Sequence, residues 1–221
     1  MSTISNNIHE VQNRIARALD RSHRTPDEIT LVAVTKEHDA AAVREAFDCG
    51  LRHFGENRVQ EAETKLPPLA DIRSRCTWHM IGHLQSNKAT KTLELFDIIH
   101  SVDSIKLATI LSQHAKKRIP ILLEVNVSGE STKNGLQIQR VPAIAEAIGQ
   151  LPNLELQGLM TIAPFECEEK ELRHIFRTLR ELRDSLHLKH LSMGMTDDFE
   201  IAVEEGATIL RIGRALLGNR R

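Results

Sequence analysis

Apolar positions along this chain switch between two periods. From about Asn7 to Asp20, Ile8, Val11, Ile15 and Ala18 recur at three- and four-residue steps with Arg and Glu between them, which predicts an amphipathic helix. Leu31-Val32-Ala33-Val34-Thr35 is then apolar or β-branched on both faces and runs into Lys36, the pattern of a strand buried in a parallel sheet. The two signals go on trading places. Ala40 to Cys49 reads as a helix closed by Gly50, His53 to Asn57 as a short strand and turn, and Arg58 to Lys65 as a helix stopped by Pro67-Pro68. Cys76 to Gly82 is the next apolar run, with a polar helix start at Gln85 to Lys88. Ile98 to Ser101, Pro120 to Val127, Leu154 to Met160, His190 to Met193 and Thr208 to Arg211 follow as strands. Between them lie helices from Asp103 or Ser104 to about Lys117, Pro142 to Gln150, Glu168 to Leu186 and Asp198 to Glu204.

About eight strands alternating with helices predict a parallel sheet, and that number predicts a closed barrel. The expected fold is α/β, a single (β/α)8 TIM-like barrel with an extra N-terminal helix, and one domain spanning 1–221. An open doubly wound sheet is the other arrangement of such a pattern, but no G-x-G-x-x-G follows the first strand.

Composition narrows the partners. Lys+Arg 29 against Asp+Glu 30 leaves a net charge of -1, which gives no support to a nucleic-acid or acidic-membrane partner. There is no long apolar run and no basic-then-apolar leader at the N-terminus. Cys49, Cys76 and Cys167 lie far apart and form no C-x-x-C, so a reduced, cytoplasmic protein is expected. The chain has no tyrosine, so no mechanism can use a phenol of its own.

Polar residues gather just past the predicted strand ends, where the strands of a barrel converge: Lys36, Asn57, His79, His83, Ser101, Asn126, Thr161, Ser192 and Arg211. A lysine at the end of a buried strand is paired with a carboxylate, reaches solvent, or is desolvated so that its free amine attacks a carbonyl. Ser192-Met193-Gly194-Met195-Thr196 and Arg211-Ile212-Gly213-Arg214 follow the last two strands, where barrels commonly hold phosphate. Asp197 and Asp198, as caps of the next helix, would repel an anion near Thr196, which favours Ser192 and the Gly213 and Arg214 amides. His79-x-x-x-His83 has the spacing of a zinc pair but falls on a strand and turn and lacks the glutamate of H-E-x-x-H; no metal is expected.

Val34-Thr35-Lys36, Phe54 to Glu61, Trp78 to Lys88, His100 to Asp103, Leu191 to Asp198 and Arg211 to Gly218 together resemble the signatures of one family, the pyridoxal 5′-phosphate homeostasis proteins, whose single domain is similar to the N-terminal barrel of alanine racemase. Two departures stand out, Thr196 where serine is common and Leu217 where phenylalanine is common. The resemblance implies pyridoxal 5′-phosphate as cofactor, held by Lys36 as an internal aldimine. It further implies that Ser192, Gly213 and Arg214 hold the phosphate, that Arg211 faces the pyridine nitrogen, and that Asn57 and Met195 lie beside the cofactor.

An arginine there keeps the ring nitrogen unprotonated and so weakens the ring as an electron sink. The expected function is therefore a carrier that steadies pools of the cofactor and of amino and keto acids, with apo forms of pyridoxal-phosphate enzymes as recipients and a monomeric state. The alternatives are a pyridoxal-phosphate racemase using His79 or Cys76 as its base, and a barrel aldolase. Racemases similar to this barrel take a tyrosine from an additional domain, and this chain has neither.

Overall fold

The computed structural model describes residues 2–130 and 133–218, so the ends of the single-domain expectation, Met1 and 219–221, lie outside the described residues. Eight strands pair in sequence order, each parallel to the next, and β8 closes on β1. They are β1 (Thr30–Val34), β2 (His53–Glu56), β3 (Thr77–Met80), β4 (Ile98–Val102), β5 (Ile119–Glu124), β6 (Leu154–Met160), β7 (His190–Ser192) and β8 (Ile209–Ile212). The expected α/β barrel is thus the observed one.

Ten α-helices lie among the described residues. The first, α1 (Thr3–Arg21), starts earlier than its periodicity suggests because the Ser2 hydroxyl accepts from the Ser5 amide and caps it. It is the extra N-terminal helix. Its Ile4, Ile8, Val11 and Ile15 are buried, and Asn7 Nδ2 donates to the Leu216 carbonyl at 3.1 Å. Next come α2 (Ala40–Asp48), α3 (Val59–Lys65), α4 (Ala70–Arg73), α5 (Ala89–Leu95), α6 (Ile105–His114), α7 (Val141–Gly149), α8 (Glu169–Ser185), α9 (Phe199–Glu204) and α10 (Arg214–Leu217). The α4 turn was not expected, since Pro67-Pro68 reads as a stop; here the pair opens a short 3-10 turn that leads into it.

At two helix starts the structure decides the cap. Ser104 rather than Asp103 caps α6, its hydroxyl accepting from the Leu107 amide. Asp198 occupies the N-cap position of α9 but makes no cap bond; its carboxylate accepts instead from the Met195 amide at 2.5 Å. That bond draws the Asp198 charge into the loop after β7 and away from the helix.

The core has two parts, divided by the barrel wall. Outward-facing strand residues such as Phe54, Trp78, Ile99 and Leu191 pack with the helices in one large apolar cluster. Inside the barrel the apolar set is small: Val32, Leu122, Met160 and Ile209, with Ile98 against them. Barrel interiors are usually filled by stacked layers of branched apolar side chains. Here much of the interior is polar.

Candidate functional site

Lys36 sits two residues beyond the end of β1, in a turn at the C-terminal mouth of the barrel, and is half-buried. Among the described residues its amine makes no hydrogen bond or ion pair. The residues on either side of it are tied down. Thr35 Oγ1 donates to Glu56 Oε1 at 2.5 Å, and Lys65 Nζ donates to the Thr35 carbonyl at 2.6 Å. Lys65 also meets Glu56 Oε1 at 2.7 Å and Glu61 Oε1 at 2.8 Å, and Glu61 Oε1 accepts from the Glu37 amide at 2.5 Å. Glu37 itself has φ 64°, an uncommon left-handed conformation for a side chain of its size. The Thr35-Lys36-Glu37 turn is therefore clamped against β2 and α3 by a buried ammonium and two carboxylates. Burial pushes the Glu56 carboxyl above its usual value, against the pull of Lys65 and Thr35.

On the neighbouring strand, Arg211 pairs in register with Val32 and projects into the barrel. It is 4% exposed. Nη1 donates to Ser192 Oγ at 2.6 Å and Nη2 to the Thr161 carbonyl at 2.9 Å. Both acceptors are neutral, and no carboxylate forms an ion pair with this guanidinium among the described residues. Burial lowers its pKa to about 10, opposed by the more distant charges of Asp198 and Glu124, and it remains a cation at neutral pH.

Beyond Arg211 the chain turns at Gly213. A Cβ at this position would lie 3.3 Å from the Val34 carbonyl, so the last turn passes close over the end of β1. Among the described residues the Gly213 and Arg214 amides donate to no protein acceptor, while the Ala215 amide reaches Thr196 Oγ1 at 3.3 Å. Free amides converging with a hydroxyl suit an anion. The Arg214 guanidinium itself is exposed and paired with Asp197 at 2.5 Å.

The other expected residues fall around this centre. Met195 is 36% exposed and lines a cavity of about 580 Å³ with Ile162, Phe165, Lys133, Asp198 and Arg214. Asn57 lines a separate depression of about 490 Å³ with Met80, His83 and Lys88. Its backbone is held by Gly82, where an added Cβ would lie 2.3 Å from the Asn57 carbonyl oxygen. Ser192 is fully buried, with its hydroxyl engaged by Arg211 and by His100.

Several residues that the sequence did not single out as a site complete the arrangement. Lys65 and Glu61 hold the Lys36 turn; their spacing of four along α3 was visible, but their target was not. Glu124, at the end of β5, is 7% exposed and its Oε2 has no hydrogen-bond partner among the described residues. Burial, then the Asp103 charge, raise its pKa, while Arg211 and His83 pull it down. His79 faces the barrel interior, whereas His83 lies outside it, 3.4 Å from Asp103.

Residues 4–221 match the family model described as alanine racemase, N-terminal domain. A pyridoxal phosphate homeostasis protein of Pseudomonas aeruginosa is 48% identical over 225 residues, covering 100% of this chain and 97% of its own length. Among solved structures, PipY of Synechococcus elongatus with PLP bound superposes with a TM-score of 0.83 at 40% identity, over 92% of this chain and 100% of that one. An alanine racemase of Clostridium difficile shares the fold at a TM-score of 0.71 and 13% identity, with 96% of this chain matching 56% of that one.

Proposed function

The chain belongs to the pyridoxal phosphate homeostasis proteins, within the alanine racemase N-terminal domain family, and on that premise we propose how its barrel mouth holds pyridoxal 5′-phosphate. Binding this cofactor and steadying its supply is the function. When bound, the group supplies an electrophilic aldehyde on a pyridine ring that carries a phosphate.

The residues present fit it. Lys36 offers an unpaired amine at the mouth. The free Gly213 and Arg214 amides and the Thr196 hydroxyl offer an anion site on the adjacent strand end. Arg211 stands on β8 two residues before Gly213 and has no carboxylate partner among the described residues. We assign covalent retention of the aldehyde to Lys36, the phosphate to Gly213 and Arg214 with Thr196, and the ring nitrogen to Arg211, with Asn57 and Met195 flanking. Ser192, expected at the phosphate, is assigned a different part: its buried hydroxyl supports Arg211 from below.

The observation that carries this reading is the buried guanidinium with only neutral acceptors. A group that cannot surrender its proton at ordinary pH keeps the ring nitrogen unprotonated. That favours holding and release over chemistry that needs a strong electron sink. The racemase alternative also lacks its base. His79 has both ring nitrogens engaged inside the barrel, and Cys76 lies ahead of β3 at the opposite end from the mouth, its thiol pushed up by burial.

Transfer to apoenzymes, a monomeric state and a cytoplasmic location complete the proposal; three free cysteines support a reducing compartment. The test is borohydride reduction of the loaded protein followed by peptide mass mapping. Label on Lys36 is expected, and label on another lysine contradicts the assignment. Mixing loaded protein with an apo pyridoxal-phosphate enzyme, against equal free cofactor, reads out transfer.

A further inference from the structure

Four side chains inside the barrel join Arg211 to the opposite end of the fold. Ser192 Oγ lies 2.8 Å from His100 Nδ1, His100 Nε2 lies 2.9 Å from His79 Nδ1, and His79 Nε2 lies 3.1 Å from His53 Nδ1. Ser192 and His100 are fully buried and His79 is 1% exposed. His53 opens β2 at the N-terminal end of the barrel, half-buried, where its Nε2 is the chain's free end.

Proton positions along this chain follow from one fact. Arg211 has donors only, so Ser192 Oγ accepts from it. The serine proton then goes to His100 Nδ1, the one other partner of that hydroxyl among the described residues. His100 therefore carries its proton on Nε2 and donates to His79 Nδ1, and His79 carries its own on Nε2 and donates to His53 Nδ1. The reverse order would bring donors from both sides onto Ser192 and leave its buried hydroxyl proton without an acceptor. An imidazolium cannot sit in the middle, because it has two donors and no acceptor. Burial lowers the pKa of all three rings, His79 to about 3, with His79 and Arg211 adding to the effect on His100.

We propose that His100, His79 and His53 are positioning residues, a neutral, one-directional hydrogen-bond chain that fixes Ser192 as an acceptor and so holds the Arg211 guanidinium in place without a carboxylate. Each ring presents its acceptor side toward Arg211, so the aligned dipoles stabilise the buried cation and strengthen one another. A carboxylate would neutralise the guanidinium; this chain leaves its charge undiminished toward the pocket. The purpose given to the chain rests on the placement of the cofactor's ring nitrogen at Arg211, while the chain's direction rests on geometry alone.

The experiment is nitrogen-15 NMR of histidine-labelled full-length protein at neutral pH, with and without pyridoxal 5′-phosphate. All three rings should show the Nε2–H tautomer in both states. Nδ1–H or a charged ring at any of the three overturns the chain. His79→Phe keeps an aromatic volume and cuts the chain in the middle. It should let the His100 tautomer mix and weaken cofactor retention about tenfold, with a shifted cofactor absorbance. Wild-type affinity and spectrum in that variant refute the positioning role. Lys36→Ala separates the two readings: it should lose the covalently held cofactor yet keep all three tautomers. Wild-type protein that binds no cofactor while showing the predicted tautomers would sink the site and spare only the chain's direction.

Discussion

Lys65→Met probes the clamp on the Lys36 turn. The substitution removes three hydrogen bonds and one ammonium from a place where the Lys65 side chain is 5% exposed and that of Glu56 0%. Glu56 Oε1 is left with the Thr35 hydroxyl alone, and Oε2 already has no partner. Breaking a buried pair from one side costs about 3–5 kcal/mol, because the abandoned charge cannot return to water. For a chain of this length, at about 2–4 °C per kcal/mol, the midpoint of thermal unfolding should fall by roughly 6–20 °C. The loss should shrink toward pH 5, since the stranded carboxyl, already held above its usual pKa, then escapes by taking a proton. Glu56→Leu/Lys65→Met removes both charges and should regain most of the stability. The single variant has lost one of the two ties on Thr35 and the double variant loses both, so cofactor retention should lie about tenfold, or about 1.4 kcal/mol, below wild type in both variants. Calorimetry and absorbance titration give the two numbers. A single variant that melts within about 1 °C of wild type refutes the energetics. A double variant that binds like wild type reduces the clamp to a piece of core.

Acidification tests the buried histidines. A ring whose pKa is lowered in the folded state contributes stability that is present above its unfolded pKa and is lost as pH falls through the window below it. With His79 at about 3, and an unfolded value of about 6.5, that ring should cost about 2 kcal/mol at pH 5 relative to pH 8, and His53 and His100, lowered by the same burial, act in the same direction. Urea unfolding at the two pH values measures this, and an unchanged midpoint would show that these rings are not held neutral. Glu124 runs the other way, its raised carboxyl favouring the folded state as pH falls, so Glu124→Gln should make the acid loss steeper. Gly82→Ala puts a methyl 2.3 Å from the Asn57 carbonyl oxygen and should destabilise by about 1–3 kcal/mol while weakening cofactor binding; equal stability would mean that the backbone yields there freely. Lys36→Ala should melt like wild type, since its amine has no partner to lose among the described residues, yet fail to retain cofactor through borohydride reduction and denaturation.

Much of the fold was legible because strand and helix periods alternate cleanly. Seven of the eight strands lie within two residues of their apolar runs at both ends, β5 stops three residues short of Val127 at Glu124, and Gly50 turns α2 out with φ 98° as a helix-ending glycine should. The boundaries that moved did so for local chemical reasons: Ser2 reached the Ser5 amide and lengthened α1, and Asp198 bonded Met195 in place of its own helix. At the site, Lys36 and Arg211 could be picked out because a charge at the end of an apolar run is rare. What supports them could not. His79 and His100 look like isolated polar residues in two separate strands, and only the register that puts His79 beside Ile98 brings their rings together. A hydroxyl after a late strand suits a phosphate, which is why Ser192 stands out; that its side chain faces inward and meets Arg211 depends on its pairing with Met160, which no single stretch contains.

The two polar systems explain why residues with a shared purpose are scattered over six stretches of the chain. Thr35, Glu56, Glu61 and Lys65 work on the outer side of the barrel wall, between β1, β2 and α3. His53, His79, His100 and Ser192 work on the inner side, through β2, β3, β4 and β7. Adjacent residues of a strand face opposite sides, so Glu56 can brace the Lys36 turn from outside while Gly55, one residue earlier, leaves room inside for Val32 and Ile81. The amine and the guanidinium are thereby fixed independently, one by an ion cluster and one by neutral dipoles. The difference in kind matters chemically. Carboxylates that held Arg211 as they hold Lys65 would cancel the charge that keeps a ring nitrogen unprotonated. Neutral partners that held Lys65 as they hold Arg211 would leave an ammonium buried without a counter-charge. Exchanging the two solutions would cost stability at one position and cofactor control at the other, so substitutions that mix them, such as Ser192→Asp beneath Arg211, should preserve the fold through a new ion pair while shifting the spectrum of the bound cofactor toward a protonated ring. An unshifted spectrum in a folded Ser192→Asp protein would show that the guanidinium's charge does not reach the ring.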